Sequence, residues 1–267
     1  MKIIERSWLT FCFFLLYAPI LFLVVYSFNS GEAMQGFAGF SFVHYQELWQ
    51  DTRLLQIVLN TLILALSAAL IATVIGTIGA LAIYRTERQL LKQSLLSLNN
   101  VLLVSPDVII GAAFLILMTA LGLKLGFLTV LMAHVAFLIP IVVLMVLPKL
   151  QEMNRDLVLA ASDLGAKPTE VLTKVTLPVI TPGIFAGFFM ALTYSLDDFA
   201  VTFFVTGNGF STLAVEVYSR ARQGVSLEIN ALSTIMLGLA FILVLAYYAY
   251  SQKRRGQKPT KLKEKVK

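Results

Sequence analysis

The sequence predicts an all-α integral membrane protein of six transmembrane helices. Three observations lead there. Of its 267 residues, 58% are hydrophobic and only 13% charged, whereas an ordinary soluble domain carries about 25% charged residues. The mean hydropathy is +0.82. Six separate stretches reach the roughly 20 apolar residues that a helix needs to cross a bilayer.

The stretches are 8–28, 58–83, 101–121, 127–147, 183–205 and 231–250. The first has an apolar core longer than the roughly 7–15 residues of a signal-peptide core, and no small-x-small cleavage site follows it, so it reads as an uncleaved helix. The remaining five follow closely, with one polar cytoplasmic segment at 148–182. The whole chain, 1–267, reads as a single transmembrane domain.

Lys and Arg set the orientation. With a cytoplasmic N-terminus, 17 of the 21 fall on inside segments, eight of them in the tail 253–267. Only Arg53, Lys124, Arg220 and Arg222 fall outside. The positive-inside rule therefore predicts a multi-pass protein with both termini in the cytoplasm. The net charge of +6 is a local anchor at the tail and not a nucleic-acid footprint. A single cysteine, Cys12, leaves no disulfide framework or thiolate metal site. His44 and His134 stand far apart without ligand-type neighbours, so each reads as a packed polar group and no metal site is expected. The first outer loop, 29–57, gathers Phe37, Phe40, Phe42, Tyr45 and Trp49, which suits an interfacial aromatic belt or the rim of a docking surface.

The segment 148–182 reads as a helical hairpin. Asn154 is placed to cap a helix whose apolar face is Leu157, Ala160, Ala161 and Leu164, and Gly165 is placed just past its end. Pro168 suits the first position of a second helix, which Pro178 and Pro182 are expected to stop before the fifth span. Helices this short are marginal in water alone, so the hairpin reads as half of a protein interface. A helix lying on lipid would carry Lys and Arg along one face; Arg155, Asp156 and Asp163 lack that bias.

Three acids fall inside spans: Asp107, Asp197 and Asp198. Each costs about 2.5–3.5 kcal/mol at a helix centre on insertion scales, and no Lys or Arg lies mid-span to pair with them. An imported cation or a partner subunit is the natural counter-charge. Tyr194 and Ser195 share the face of the Asp197–Asp198 pair at helical spacing, making a polar patch on an apolar helix. On straight helices, Asp107 lies about 9 Å into the third span and Asp197 about 21 Å into the fifth, two steps for a polyvalent cation. Ser105-Pro106-Asp107 also reads as N-cap, N1 and N2 of a helix, with Asp107 stabilising the dipole. Gly183-x3-Gly187 allows close helix packing.

Leu159-Ala160-Ala161-x3-Gly165-x9-Val175-x-Leu177-Pro178 resembles the cytoplasmic coupling loop of ABC importer permeases. The spacing matches throughout; Leu159 replaces the family's glutamate and Val175 its isoleucine. Val104-Ser105-Pro106-Asp107-Val108-Ile109, Ser195-Leu196-Asp197-Asp198-Phe199, Phe204-Val205-Thr206-Gly207, Tyr26-Ser27-Phe28-Asn29-Ser30 and Asp163-Leu164-Gly165-Ala166 look like segments of the second permease of bacterial spermidine/putrescine importers. The likeness runs along nearly the whole chain. It implies a type I ABC importer permease fold in a bacterial inner membrane, with Leu159, Ala160, Ala161, Asp163, Leu164 and Gly165 in the helix that couples to the ATPase. It implies that Asp107, Asp197 and Asp198 pass a polyamine along its path. It also implies the partners: a homologous second permease, an ATPase homodimer and an extracytoplasmic polyamine-binding protein. The family carries a tryptophan early in the first outer loop, where the nearby aromatics here are Tyr45 and Trp49.

This chain has no Gly-x4-Gly-Lys-Ser/Thr loop, so ATP is expected on the partner and no cofactor on this subunit. No nucleophile–base pair suggests an enzyme. Two other readings have the same spans. A permease for an anion or metal complex is disfavoured by buried acids without buried bases. An independent cation channel or carrier is disfavoured by the coupling loop.

Overall fold

The computed structural model describes residues 2–31, 34, 36–207, 209–223 and 227–256. Most of the basic tail, 257–267, lies outside the described residues. Twelve helices run along them, with a single isolated β-bridge between Asn29 and Phe40.

Two compact units divide the chain, 1–55 with 219–267 and 56–218. The first holds α1 (Lys2–Tyr26), α2 (Val43–Gln50) and α12 (Leu227–Gly256), with α12 packed against both others. α1 exposes Trp8, Phe13, Phe14 and Leu16, the all-round apolar surface of a helix meant for lipid. Beyond α1 the chain folds back on itself through buried Asn29. Its amide donates to the Gly36 carbonyl at 2.8 Å and its side-chain oxygen accepts from the Ala38 N–H at 2.7 Å. Ser27 meets the Tyr45 hydroxyl at 2.7 Å, and Phe28 stacks on Phe40 with 5.0 Å between rings. His44 is buried and bonded to Glu47 and to the Gly31 carbonyl, the packed polar group that its isolation predicts. Asp51 accepts from the Leu54 N–H and pairs with Arg220 at 3.1 Å; the backbone bond first, then the guanidinium, hold its carboxyl below the usual range.

The second unit is built on α3 (Thr52–Arg85, from residue 56 on), α4 (Gln89–Val104), α5 (Asp107–Ala120), α6 (Phe127–Glu152), α7 (Arg155–Asp163), α8 (Pro168–Val171), α9 (Leu177–Asp197), α10 (Ala200–Val205) and α11 (Leu213–Gln223). Its main core joins Ala68, Ala69 and Ala72 of α3, Leu138, Val142 and Val146 of α6, and Ile180 and Ala191 of α9. Small residues bring these helices close. A Cβ at Gly76 would sit 2.7 Å from Val142 Cβ, and one at Gly183 3.0 Å from the Met145 carbonyl oxygen. Gly187 also lies against Val142. The Gly183-x3-Gly187 spacing thus marks a real packing seam, and Gly76 completes it from the other side. Gly76→Val should cost more than the about 1–3 kcal/mol typical of overpacking, because the Ile139 carbonyl, 3.1 Å away, is backbone and cannot swing aside. Detergent-solubilised complex should melt lower and be recovered in smaller amount; an unchanged melting temperature would contradict the seam.

Among the described residues four helices are long and apolar enough to span a membrane, and the bent pair α4–α5 makes up to a fifth. The expected sixth stretch, 231–250, lies within α12, whose described apolar part, Leu227–Gly238, is shorter than a span. Two of the expected spans differ from straight rods. The third, 101–121, is cut between α4 and α5, whose axes meet at 104°. Pro106 has no N–H to continue the ladder and forces Ser105 into the extended region at ψ 137°. The fifth, 183–205, is cut at Asp198, which is extended at ψ 118°. That break has no proline; a side-chain cap holds it, as described below.

The polar segment 148–182 keeps its expected caps. The Asn154 side chain accepts from the Asp156 N–H at 2.9 Å. Gly165 sits at φ +82°. Its N–H reaches the Ser162 carbonyl at 2.9 Å and the Ala166 N–H reaches Ala161 at 3.1 Å, the paired bonds of a Schellman end. Pro168 opens α8, where Glu170 accepts from the Lys167 N–H at 3.0 Å. Pro178 and Pro182 do not stop the second helix. A single π turn, Leu172–Thr176, leads straight into α9. The wider π ring closes from the Leu177 N–H to Leu172. It carries the ladder to the edge of Pro178, whose missing N–H then falls in the first turn of α9, where it costs little.

Candidate functional site

The two breaks meet. Gly111 of α5 lies so close to α10 that a Cβ there would be 3.1 Å from the Ala200 carbonyl and 2.8 Å from Phe204. Thr129 at the start of α6 donates to the Val205 carbonyl at 2.9 Å. The half-helices α5 and α10 are thereby fixed beside each other.

A cleft of about 420 Å³ opens where the broken ends converge, lined by Asp107, Asp197 and Asp198 together with Tyr194, Phe137, Phe199 and Thr193. Among the described residues no basic side chain lines it. The three acids singled out in the sequence therefore share one cleft. The straight-helix depths of 9 and 21 Å do not carry over, because both spans are broken near these residues.

Each acid stands differently. Asp107 is the first residue of α5, exposed, and makes no capping bond. Ser105 is not an N-cap; it closes α4 and its hydroxyl donates back to the Val101 carbonyl at 2.7 Å. Asp107 still faces the positive end of the α5 dipole, which offsets part of its charge. Asp197 ends α9 and is exposed. Among the described residues its carboxylate meets no hydrogen-bond donor. The negative end of the α9 dipole adds to its pull on a cation. Asp198 is nearly buried, with a side chain 7% exposed. It turns away to cap α10, accepting from the Val201 N–H at 3.2 Å, the Thr202 N–H at 2.8 Å and the Thr202 hydroxyl at 2.7 Å.

Tyr194 is half-exposed on the cleft wall, whereas Ser195 is buried and points to His134 at 2.7 Å. The Tyr194–Ser195–Asp197–Asp198 patch is thus divided between cleft and interior. Sequence reasoning read His134 as a packed polar group, which it is, but missed that it and Thr202 complete the interior half. The signal present was Asp198 ahead of the apolar run 199–205, an N-cap pattern inside an apparent span.

The coupling residues lie elsewhere. α7 buries none of its residues; Leu157 is 48% exposed, Leu159 60% and Leu164 89%. Asp163 and Gly165 are exposed as well. Among the described residues nothing covers this apolar face.

Broken membrane helices around an acidic cleft, with the capped helix α7 outside the apolar spans, are the parts of a transport permease. Residues 72–257 match the family described as binding-protein-dependent transport system inner membrane component, and the chain belongs to that family. It is 36% identical over 245 residues to the spermidine/putrescine transport system permease protein PotC of Escherichia coli K12, with 92% of each chain covered. It is 40% identical over 252 residues to the putrescine transport system permease protein PotI of the same organism, covering 91% of this chain and 90% of that one. The fold matches solved ABC importers. A bacterial transporter for the acidic polysaccharide alginate gives a TM-score of 0.71 at 19% identity, covering 96% of this chain and 99% of that one. The MetNI methionine transporter in an inward-facing form gives 0.60 at 20% identity over 79% of this chain and 97% of that one.

Proposed function

We infer that this chain is the membrane-spanning permease subunit of an ATP-driven importer that moves polyamines into the bacterial cytoplasm. The cleft carries the reading: three carboxylates and the rings of Phe137, Tyr194 and Phe199, without a basic side chain. Polyamines are flexible chains of ammonium groups joined by methylenes. Carboxylates take the ammonium groups, aromatic faces add cation–π attraction, and apolar walls take the methylenes. The named relatives transport spermidine and putrescine, which supports the same cargo. The alginate importer has the same fold, so fold alone does not choose cargo; an anion would meet only repulsion in this cleft.

The chain works as one transmembrane domain with a second, homologous permease, two copies of an ATPase and an extracytoplasmic polyamine-binding protein. ATP binds the ATPase and no cofactor binds here. α7, with Leu159, Ala160, Ala161, Asp163, Leu164 and Gly165, docks on the ATPase, and its pull reaches the cleft through the unbroken path from α8 to α9. Leu159 offers that ATPase an apolar contact where relatives have a carboxylate. Both termini are cytoplasmic.

The test is uptake of labelled spermidine and putrescine by cells that express this chain with its partner subunits and lack their own polyamine importers. Saturable, ATP-dependent uptake of one or both is expected. A reporter fused after Lys267 should read cytoplasmic and one inserted at Gly36 external. Uptake of neither amine would sink the cargo reading, and inverted reporters the topology.

A further inference from the structure

His134 lies two turns into α6, fully buried. Its Nδ1 meets Ser195 Oγ of α9 at 2.7 Å, and its Nε2 meets Thr202 Oγ1 of α10 at 2.8 Å and Asp198 Oδ2 at 3.3 Å. One ring thus bridges both sides of the break in the fifth span. The protons can be placed. Thr202 gives its hydroxyl hydrogen to Asp198, so its oxygen is left to accept, and Nε2 carries the ring hydrogen. Nδ1 then accepts from the Ser195 hydroxyl. Asp198 Oδ2 takes two donors from Thr202, and His134 Nε2 stands 3.3 Å from it.

We propose that His134 is a positioning residue for the cargo cleft: it locks the α9–α10 break, commits Asp198 to the cap, and so presents Asp197 as the carboxylate that meets the cargo. This rests on the polyamine reading of the cleft. Asp197 is one residue from the break and has no hydrogen bond of its own among the described residues, so its position follows from how the break is held. Removing the ring takes the partner from the buried Ser195 hydroxyl and the donor from the Thr202 oxygen, and leaves nearly buried Asp198 without the ring beside it. Such orphaned groups are costly where they stand, and the break is free to relax by turning Asp197 out of line.

The experiment compares wild type, His134→Leu, His134→Gln and Asp197→Asn in the assembled complex in proteoliposomes, measuring polyamine imported per ATP hydrolysed. A glutamine keeps one acceptor and one donor; a leucine keeps neither. His134→Leu should lower that ratio by about tenfold, the scale of one buried polar group left without its partner. His134→Gln should stay within about twofold of wild type, less than one such bond. A purely structural role would lower the amount of complex and leave the ratio unchanged, which would overturn the proposal. Equal losses in both His134 variants would overturn it as well. Should His134→Leu fail to assemble, Thr202→Val removes the other end of the bridge at nearly constant volume, and a wild-type ratio there has the same force. Wild-type uptake in Asp197→Asn would instead remove the cargo reading itself, whatever His134 does.

Discussion

Asp197→Asn should cut polyamine uptake by about tenfold to a hundredfold, the effect of losing a charged hydrogen bond worth about 1.5–3 kcal/mol. The change keeps the side chain's shape and removes its charge. No buried partner is orphaned, because the described residues offer this carboxylate none. Assembled complex and its melting temperature should therefore match wild type. Asp107→Asn should lose less, since the start of α5 already offsets part of that charge and Asn is at ease in a first turn. Asp198→Asn should behave differently from both. Its amide would present a donor to the Val201 N–H or to the Thr202 cluster, so the melting temperature should fall along with uptake. Uptake is measured at matched expression in cells without other polyamine importers. Equal, wild-type uptake in Asp197→Asn and Asp107→Asn would leave a permease without a cationic cargo.

Gly165→Val should uncouple the subunit from its ATPase. At φ +82° a β-carbon is strained by about 1–2 kcal/mol. The space around that carbon is empty, so the strain is in the backbone alone. Relieving it means opening the Schellman bonds of Gly165 and Ala166, which frays the end of α7 that carries exposed Leu164. ATPase co-purification and transport-linked hydrolysis should fall while the membrane level of the subunit stays normal. Gly165→Asn tolerates the left-handed region and should restore most of both. Full transport by Gly165→Val would refute the docking role given to α7.

The hairpin was legible almost to the residue because its signals are local. Asn154, Gly165 and Pro168 act through bonds to neighbours two to four positions away, and those rules hold whatever surrounds them. The prolines after it misled for a related reason. A proline is a stop sign only if the preceding turn cannot adjust, and the π turn at Leu172–Thr176 adjusts it. The site was half legible. An acid in an apolar stretch is too costly to be idle, so Asp107, Asp197 and Asp198 stood out at once. Their separate tasks did not, because a carboxylate that caps a helix and one that faces cargo look alike in a string of letters.

What the sequence determined by itself was the class, a helical membrane protein, together with the caps of its polar segment and its acidic residues. Transfer energies, positive-inside charge and cap chemistry are properties of short segments, and they survive any packing. What only the tertiary structure decided was the breaks and what they bring together. Ser105-Pro106 bends the chain by 104°, and Asp198 turns inward because His134, 64 positions earlier in the chain, waits with Thr202 to receive it. Contacts between residues that distant depend on how helices pack, and the close approaches at Gly76, Gly111 and Gly183 set that packing.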